Sequence, residues 1–234
     1  MATRPPKVES TRIEVPDADE IATLISVAPD DLRAAIIVDV GSGLRRSELL
    51  ALTWRDFDPQ RNTLAVRRSL ERRVKEAPLP EYKGTKTGRE RNVSLPAFAV
   101  EALRRHRLAQ AERFLKYGFG RPHADTPIFD RLGEVWHPER FSQRFYQFIK
   151  HAGVLKITFH GLRHAYASHL LAAGVHPKIA SEALGHSRIG ITMDLYSHAA
   201  ANLQDEAVIK LEGALGSSIS STFTRENGAL SEVM

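Results

Sequence analysis

The stretch HGLRHAYASH, residues 160–169, sets an arginine among three histidines. His160 and His164 stand at i and i+4 on one helical face, the spacing from which many metal sites start. Arg163 lies between them, and a guanidinium is a poor neighbour for a bound cation. Read as a metal helix, the stretch belongs to a hydrolase; read as a helix start that faces an anion, it belongs to a different kind of protein. The rest of the sequence decides between the two.

A chain of 234 residues with 42% hydrophobic residues can build a proper core in one large domain or two small ones. It has no cysteine, which excludes disulfide frameworks, thiolate metal sites and cysteine nucleophiles. No apolar run approaches the roughly 18 residues of a membrane span, and the N-terminal MATRPPKVES lacks the apolar core of a secretory signal. A cytoplasmic protein with no membrane partner is the expectation.

The net charge of +5 makes an acidic partner plausible without identifying one. Its distribution says more than its total. Between Arg61 and Arg91 ten Lys/Arg stand against four Glu. Such runs are ordinarily solvated faces, and only other motifs can make one a binding surface.

Residues 1–16, with three prolines and no apolar periodicity, read as a linker or leader. Asp17 to Glu20 resembles a capping box, followed by Ile21, Leu24, Ile25 and Ala28 at helical spacing. Leu32 to Val40 continues as a buried helix stopped by Gly41-Ser42-Gly43, and Leu44 to Leu52 reads as a third helix. Strand character is confined to Thr63–Arg68 and Arg91–Leu95, with Lys83 to Gly88 as a loop between strands.

Helical patterns then return. Val100, Leu103, Leu108, Ala111 and Leu115 form a loose stripe; Phe141, Phe145, Phe148 and Ile149 form a tighter one after Pro138, read as core and not as a base-stacking platform. A helix over Gly161–Ala173 is closed by Gly174, and another opens at Pro177 and ends at Gly185. Asn202–Leu215 is a last amphipathic helix, and residues 216–234 read as a flexible tail. The architecture expected is mainly α with a small antiparallel β-sheet, a single folded unit over 17–215.

Taken singly, the polar candidates are ordinary. An arginine such as Arg45 is usually a surface ion-pair partner, Lys86 a solvated turn lysine, His186 a satisfied core histidine and Tyr196 a core or interface tyrosine. Together they suit phosphodiester chemistry. A pentacoordinate phosphorane carries extra charge on its nonbridging oxygens, and forked guanidinium donors hold two of them at once, so two arginines and a histidine can replace a magnesium ion. A phenol with a pKa of about 10 is ionised to roughly one part in a thousand at pH 7, so it needs cationic neighbours or a base. Attack by the phenol would conserve the phosphodiester energy in a covalent link, and a lysine can protonate the departing oxygen.

Four blocks carry a family resemblance: Gly41-Ser-Gly-Leu-Arg45-Arg-Ser-Glu48-Leu, Thr85-Lys86-Thr-Gly-Arg-Glu-Arg91, His160-Gly-Leu-Arg163-His164, and Leu184-Gly-His186-Ser followed by Tyr196-Ser-His. In that order they resemble the catalytic domain of the tyrosine recombinase/phage integrase family, over roughly residues 17–200. The resemblance implies that Arg45 and Arg163 clamp a scissile phosphate of double-stranded DNA and that Lys86 is the general acid. It further implies that His160 assists proton transfer, that His186 donates to a nonbridging oxygen and that Tyr196 is the nucleophile. Glu48 and His164 would give structural support, while His169 and His198 would face core or solvent. DNA would be cut and rejoined through a 3′-phosphotyrosyl link without metal, cofactor or ATP, by a tetramer on DNA that exchanges its C-terminal segments, residues 202–215 being the candidate.

Members of the family usually carry an N-terminal core-binding domain of about a hundred residues, and the expectation is that it is absent here, with weak DNA affinity as the result. Three other functions compete. A metal-dependent hydrolase on His160, His164 and His169 lacks the glutamate of an HExxH helix. A type IB topoisomerase shares the Arg/Lys/Arg/His/Tyr logic and would relax supercoils as a monomer. A nonenzymatic DNA-binding fragment would keep the pocket without turnover.

Overall fold

The computed structural model describes residues 15–71, 81–84, 90–185 and 212–213. Asp17 caps helix α1 (Ala18–Val27), its carboxylate accepting from the Glu20 N–H at 2.8 Å while Glu20 accepts from the Asp17 N–H at 2.9 Å. This is the capping box expected from the sequence. Before it, the exposed ring of His169 reaches the Pro16 carbonyl at 2.9 Å, so the expected leader ends against the domain; residues 1–14 lie outside the described residues.

Helix α2 (Asp30–Ser42) runs two residues further than its glycines suggested. Gly41 is inside it for lack of space: a Cβ there would stand 3.0 Å from that of Ala99 and 3.1 Å from Pro96. Gly43 is the actual stop, in the left-handed region at φ 58°, where its N–H closes on the Asp39 carbonyl at 2.7 Å. The expected third helix over Leu44–Leu52 shrinks to one turn, α3 (Arg46–Leu49). Arg45 is extended at its start, and a short 3₁₀ turn, Trp54–Asp56, follows.

The β structure is more divided than expected. Strands β1 (Phe57–Asp58), β2 (Thr63–Val66) and β5 (Arg91–Ser94) form a three-stranded antiparallel sheet in the order β1-β2-β5. The run expected to be one strand breaks at Arg67, and β3 (Arg68–Glu71) pairs instead with β4 (Glu81–Gly84). Lys83 and Gly84 are therefore strand residues and not loop. Arg68 holds this hairpin down by bonds to the Ala51 carbonyl, Thr53 and Asp56 at 3.2, 2.9 and 3.3 Å, with Tyr82 4.9 Å away against its guanidinium. Part of the basic run is thus committed to internal pairs. A third hairpin, β6 (Asp130–Arg131) with β7 (Glu134–Val135), has strands too short to show a period.

Helix α4 (Ala97–Lys116) turns a different face inward from the one its leucines suggested. Leu108 and Leu115 are exposed, while Ala99, Val100, Leu103, Gln110 and Phe114 are buried. Hydrogen bonds explain the exchange: Gln110 accepts from the Trp54 indole at 2.6 Å and donates to Asp130 at 2.5 Å. Satisfied in this way, a polar side chain can lie in a core. Helix α5 (Pro138–Ala152) buries the aromatic stripe as expected, with Phe141 and Phe145 packed edge-on against Phe159 at 4.9 and 5.2 Å between centroids.

Helix α6 (Phe159–Ala172), capped by Thr158, carries the histidine-arginine stretch, and α7 (Pro177–Leu184) ends at Gly185 with φ 63°. The architecture is mainly helical with small antiparallel sheets, and one continuous core runs from Leu24 to Leu162. Among the described residues no helix is long and apolar enough to cross a membrane. Of the expected Asn202–Leu215 helix only 212 and 213, both helical, are described; the rest and the tail lie outside the described residues.

Candidate active site

Arg45 is placed by a sharp change of direction. Gly43 leaves α2 in a conformation a side chain resists, and Arg45 then turns extended before α3 begins. One turn on, Glu48 is buried and accepts the Arg45 N–H at 3.0 Å and the Arg45 guanidinium at 2.9 Å. Its other partner comes from strand β5. Arg91 forks onto both Glu48 oxygens at 3.1 and 2.7 Å, the bidentate geometry that makes such pairs strong. Burial pushes the Glu48 carboxyl up, but the hydrogen bond and charge of Arg91, then those of Arg45, outweigh it and hold it below the ordinary glutamate value.

Arg91 is the residue that sequence reasoning missed. It appeared there only as a strand residue closing the lysine block, and its pairing with a glutamate 43 positions earlier has no local signal. It also abuts the other end of the site: a Cβ on Gly185 would meet the Arg91 guanidinium carbon at 2.8 Å. Gly185 is therefore needed both for its φ and for this contact.

Arg163 is 4% exposed. It reaches back across 120 residues to the Gly43 carbonyl at 2.5 Å and to the Leu184 carbonyl at 2.8 Å. Arg45 donates to the next carbonyl, that of Gly185, at 2.7 Å. Two arginines from separate blocks thus grip consecutive carbonyls at the end of α7, the partially negative end of that helix. These bonds use two of the five Arg163 N–H donors, leaving capacity for an anion. Burial first, then the charge of Arg45, lowers the Arg163 pKa to about 10, with Glu48 and Asp39 opposing; the group stays charged at neutral pH.

His160 and His164 lie edge to face with centroids 4.7 Å apart. Loss of solvent, then the charges of His164, Arg163, Arg45 and Arg46, holds His160 below the ordinary histidine value. His164 is lowered by burial and by Arg163. Both rings are therefore biased toward the neutral form, in which one nitrogen of each can accept a proton. In a proton NMR titration His160 should show a midpoint below that of an ordinary histidine, and the midpoint should rise in His164→Ala; an unmoved midpoint would contradict the coupling.

A cleft of about 540 Å³ opens beside these groups, lined by Arg45 and Arg46, by Ser142 and Tyr146 from α5, and by Thr158 and His160. Three guanidinium groups, Arg45, Arg91 and Arg163, gather around the single ion-paired carboxylate of Glu48. Such an excess of fixed positive charge favours an anion. Among the described residues no group of three or more His, Asp or Glu side chains could hold a metal ion. The structure brings together Arg45, Glu48, His160, Arg163 and His164 from the expected set. Lys86, His186 and Tyr196 lie outside the described residues.

The phage integrase family model matches residues 14–202. A protein named "Tyrosine recombinase XerC-like" from Caldanaerobacter subterraneus subsp. tengcongensis is 30% identical over 191 residues, which is 76% of this chain and 48% of that protein. The ICEBs1 integrase of Bacillus subtilis is 30% identical over 200 residues, 84% of this chain and 54% of that one. The chain spans about half the length of these curated relatives. The Tn1549 transposon integrase, solved in complex with transposon right-end DNA, shares the fold with a TM-score of 0.73 at 21% identity, covering 87% of this chain and 67% of that one.

Proposed function

The chain belongs to the phage integrase family, and from that premise we propose that it cuts and rejoins double-stranded DNA at specific sites through a 3′-phosphotyrosyl link. The observation that carries the proposal is the convergence of Arg45 and Arg163 on the Gly185 and Leu184 carbonyls. All four sequence blocks reach this junction, the second through Arg91 beside Gly185, and His186 follows as the next residue in the chain.

In this reading the spare donors of Arg45 and Arg163 hold the two nonbridging oxygens of the scissile phosphate, where charge grows as the phosphorane forms. His186 donates to one of them. The Tyr196 oxygen bonds to phosphorus as the bond from phosphorus to O5′ breaks, and Lys86 gives O5′ its proton. His160, neutral at the working pH, takes up the phenol proton. The phosphodiester is conserved in the tyrosyl ester, and attack by a 5′ hydroxyl reverses the steps without ATP. Glu48 keeps Arg45 extended, and His164 braces His160.

Residues 17–215 act as the catalytic unit, and the reading extends to a tetramer on DNA in which neighbouring copies exchange the segment 202–215. The test uses short nicked duplexes of randomised sequence in buffer with EDTA. A DNA adduct that survives SDS and is lost in Tyr196→Phe is expected. Absence of any adduct, or an adduct retained by Tyr196→Phe, would overturn the proposal. Dependence on divalent metal would count equally against it.

A further inference from the structure

We propose that Arg91 is a positioning residue for the phosphate clamp: it holds Glu48 from the β5 side, so that the spare donors of Arg45 stay available to the scissile phosphate. The inference rests on the reading of Arg45 as a phosphate clamp. Arg91 opens strand β5, where its backbone is paired in register with Val66 of β2, so its side chain starts from a sheet and not from a loop. Its guanidinium donates to both Glu48 oxygens, at 3.1 and 2.7 Å. Arg45 lines the cleft, whereas Arg91 does not.

Donor supply explains what the fork does. Each Glu48 oxygen takes one N–H from Arg91 and one from Arg45, whose backbone N–H goes to Oε2 at 3.0 Å and whose Nη1 goes to Oε1 at 2.9 Å. Arg45 Nη2 donates to the Gly185 carbonyl at 2.7 Å, and the rest of its five guanidinium N–H groups are left for an anion. A carboxylate favours two parallel N–H bonds from one guanidinium. Without Arg91, Glu48 can make that fork with Arg45 and draw a further donor away from the phosphate. With Arg91 in place, both carboxylate oxygens are already occupied.

The same guanidinium reaches the other end of the site. A Cβ on Gly185 would stand 2.8, 2.9 and 3.1 Å from its Cζ, Nη1 and Nε atoms. Gly185 is thus held twice, by Arg45 at its carbonyl and by Arg91 against its Cα, and His186 is the next residue. A lysine at position 91 would keep the positive charge beside Glu48 but not the two-pronged geometry. That difference separates positioning from charge balance.

The test compares Arg91→Lys and Arg91→Gln with wild type on two nicked duplexes of the sequence recovered from the wild-type adduct. One carries an ordinary scissile phosphate; the other carries a methylphosphonate, in which a methyl group replaces one nonbridging oxygen and removes the negative charge. On the phosphodiester the cleavage rate should fall roughly 10- to 100-fold in both variants, as for a misplaced reacting group, while DNA affinity stays within about threefold. On the methylphosphonate, where Arg45 has less charge to hold, each variant should come within about threefold of wild type. A loss of folded protein, or a defect passed through Lys86 five residues earlier, would lower both rates by the same factor, and that result would overturn the proposal. Phosphodiester rates within about twofold of wild type would overturn it equally. Arg45→Ala separates the two ideas. If it cleaves the phosphodiester as fast as wild type, the clamp reading fails; if it shows the substrate-dependent loss while the Arg91 variants do not, only the role of Arg91 fails.

Discussion

Glu48→Ala should destabilise the protein by about 3–5 kcal/mol, the cost of removing one member of a buried ion pair. Its side chain is 2% exposed, and its partners Arg45 and Arg91 are 27% and 16% exposed, so water can replace the lost carboxylate only in part. Two guanidinium groups would face each other without a counter-charge, and Arg45 would lose both the bond that fixes its backbone and the one that aims its side chain. Urea unfolding reads the first effect; a loss near the 0–1 kcal/mol of surface pairs would contradict the geometry.

The pH dependence has a defined sign. The Glu48 carboxyl is held below its ordinary value in the folded chain. Its stabilisation is therefore complete above the ordinary glutamate pKa and is lost as pH falls through the depressed native one. Glu48→Gln should flatten the acid limb of the stability curve. An acid limb as steep as that of wild type would show that Glu48 does not carry this titration.

Gly43→Ala should cost about 2–5 kcal/mol. A left-handed backbone charges an L-residue about 1–2 kcal/mol, and overpacking adds about 1–3 kcal/mol. Both apply, because φ is 58° and a Cβ would stand 2.2 Å from the Tyr166 ring. Tyr166 would have to move, and it lies on α6 three residues after Arg163. Adduct formation should fall together with stability. A variant that unfolds at the wild-type urea concentration would contradict the contact.

Much of the helical architecture was legible because local signals agreed with burial. The capping box at Asp17, Pro138 and Pro177 at helix starts, and Gly185 at a helix end are all used as read. Failures came where partners distant in sequence decide. Leu108 and Leu115 are good helical apolar residues, yet α4 turns Gln110 inward because Trp54 and Asp130 satisfy it. Strands of two residues carry no period, so β1, β6 and β7 left no trace.

The site divides in the same way. Arg45, Glu48, His160, Arg163 and His164 could be named from their motifs, and the structure gathers them. Arg91 could not, since it acts through Glu48 across 43 residues. Its paired position on the buried Glu48, which only the folded chain reveals, singles it out.

The most direct test of the central claim is to digest the SDS-resistant DNA adduct with protease and nuclease and to sequence the linked peptide by mass spectrometry. The account predicts a single peptide carrying a nucleotide 3′-phosphate esterified to the Tyr196 oxygen. A nucleotide on any other residue, or attached through its 5′ phosphate, would contradict it.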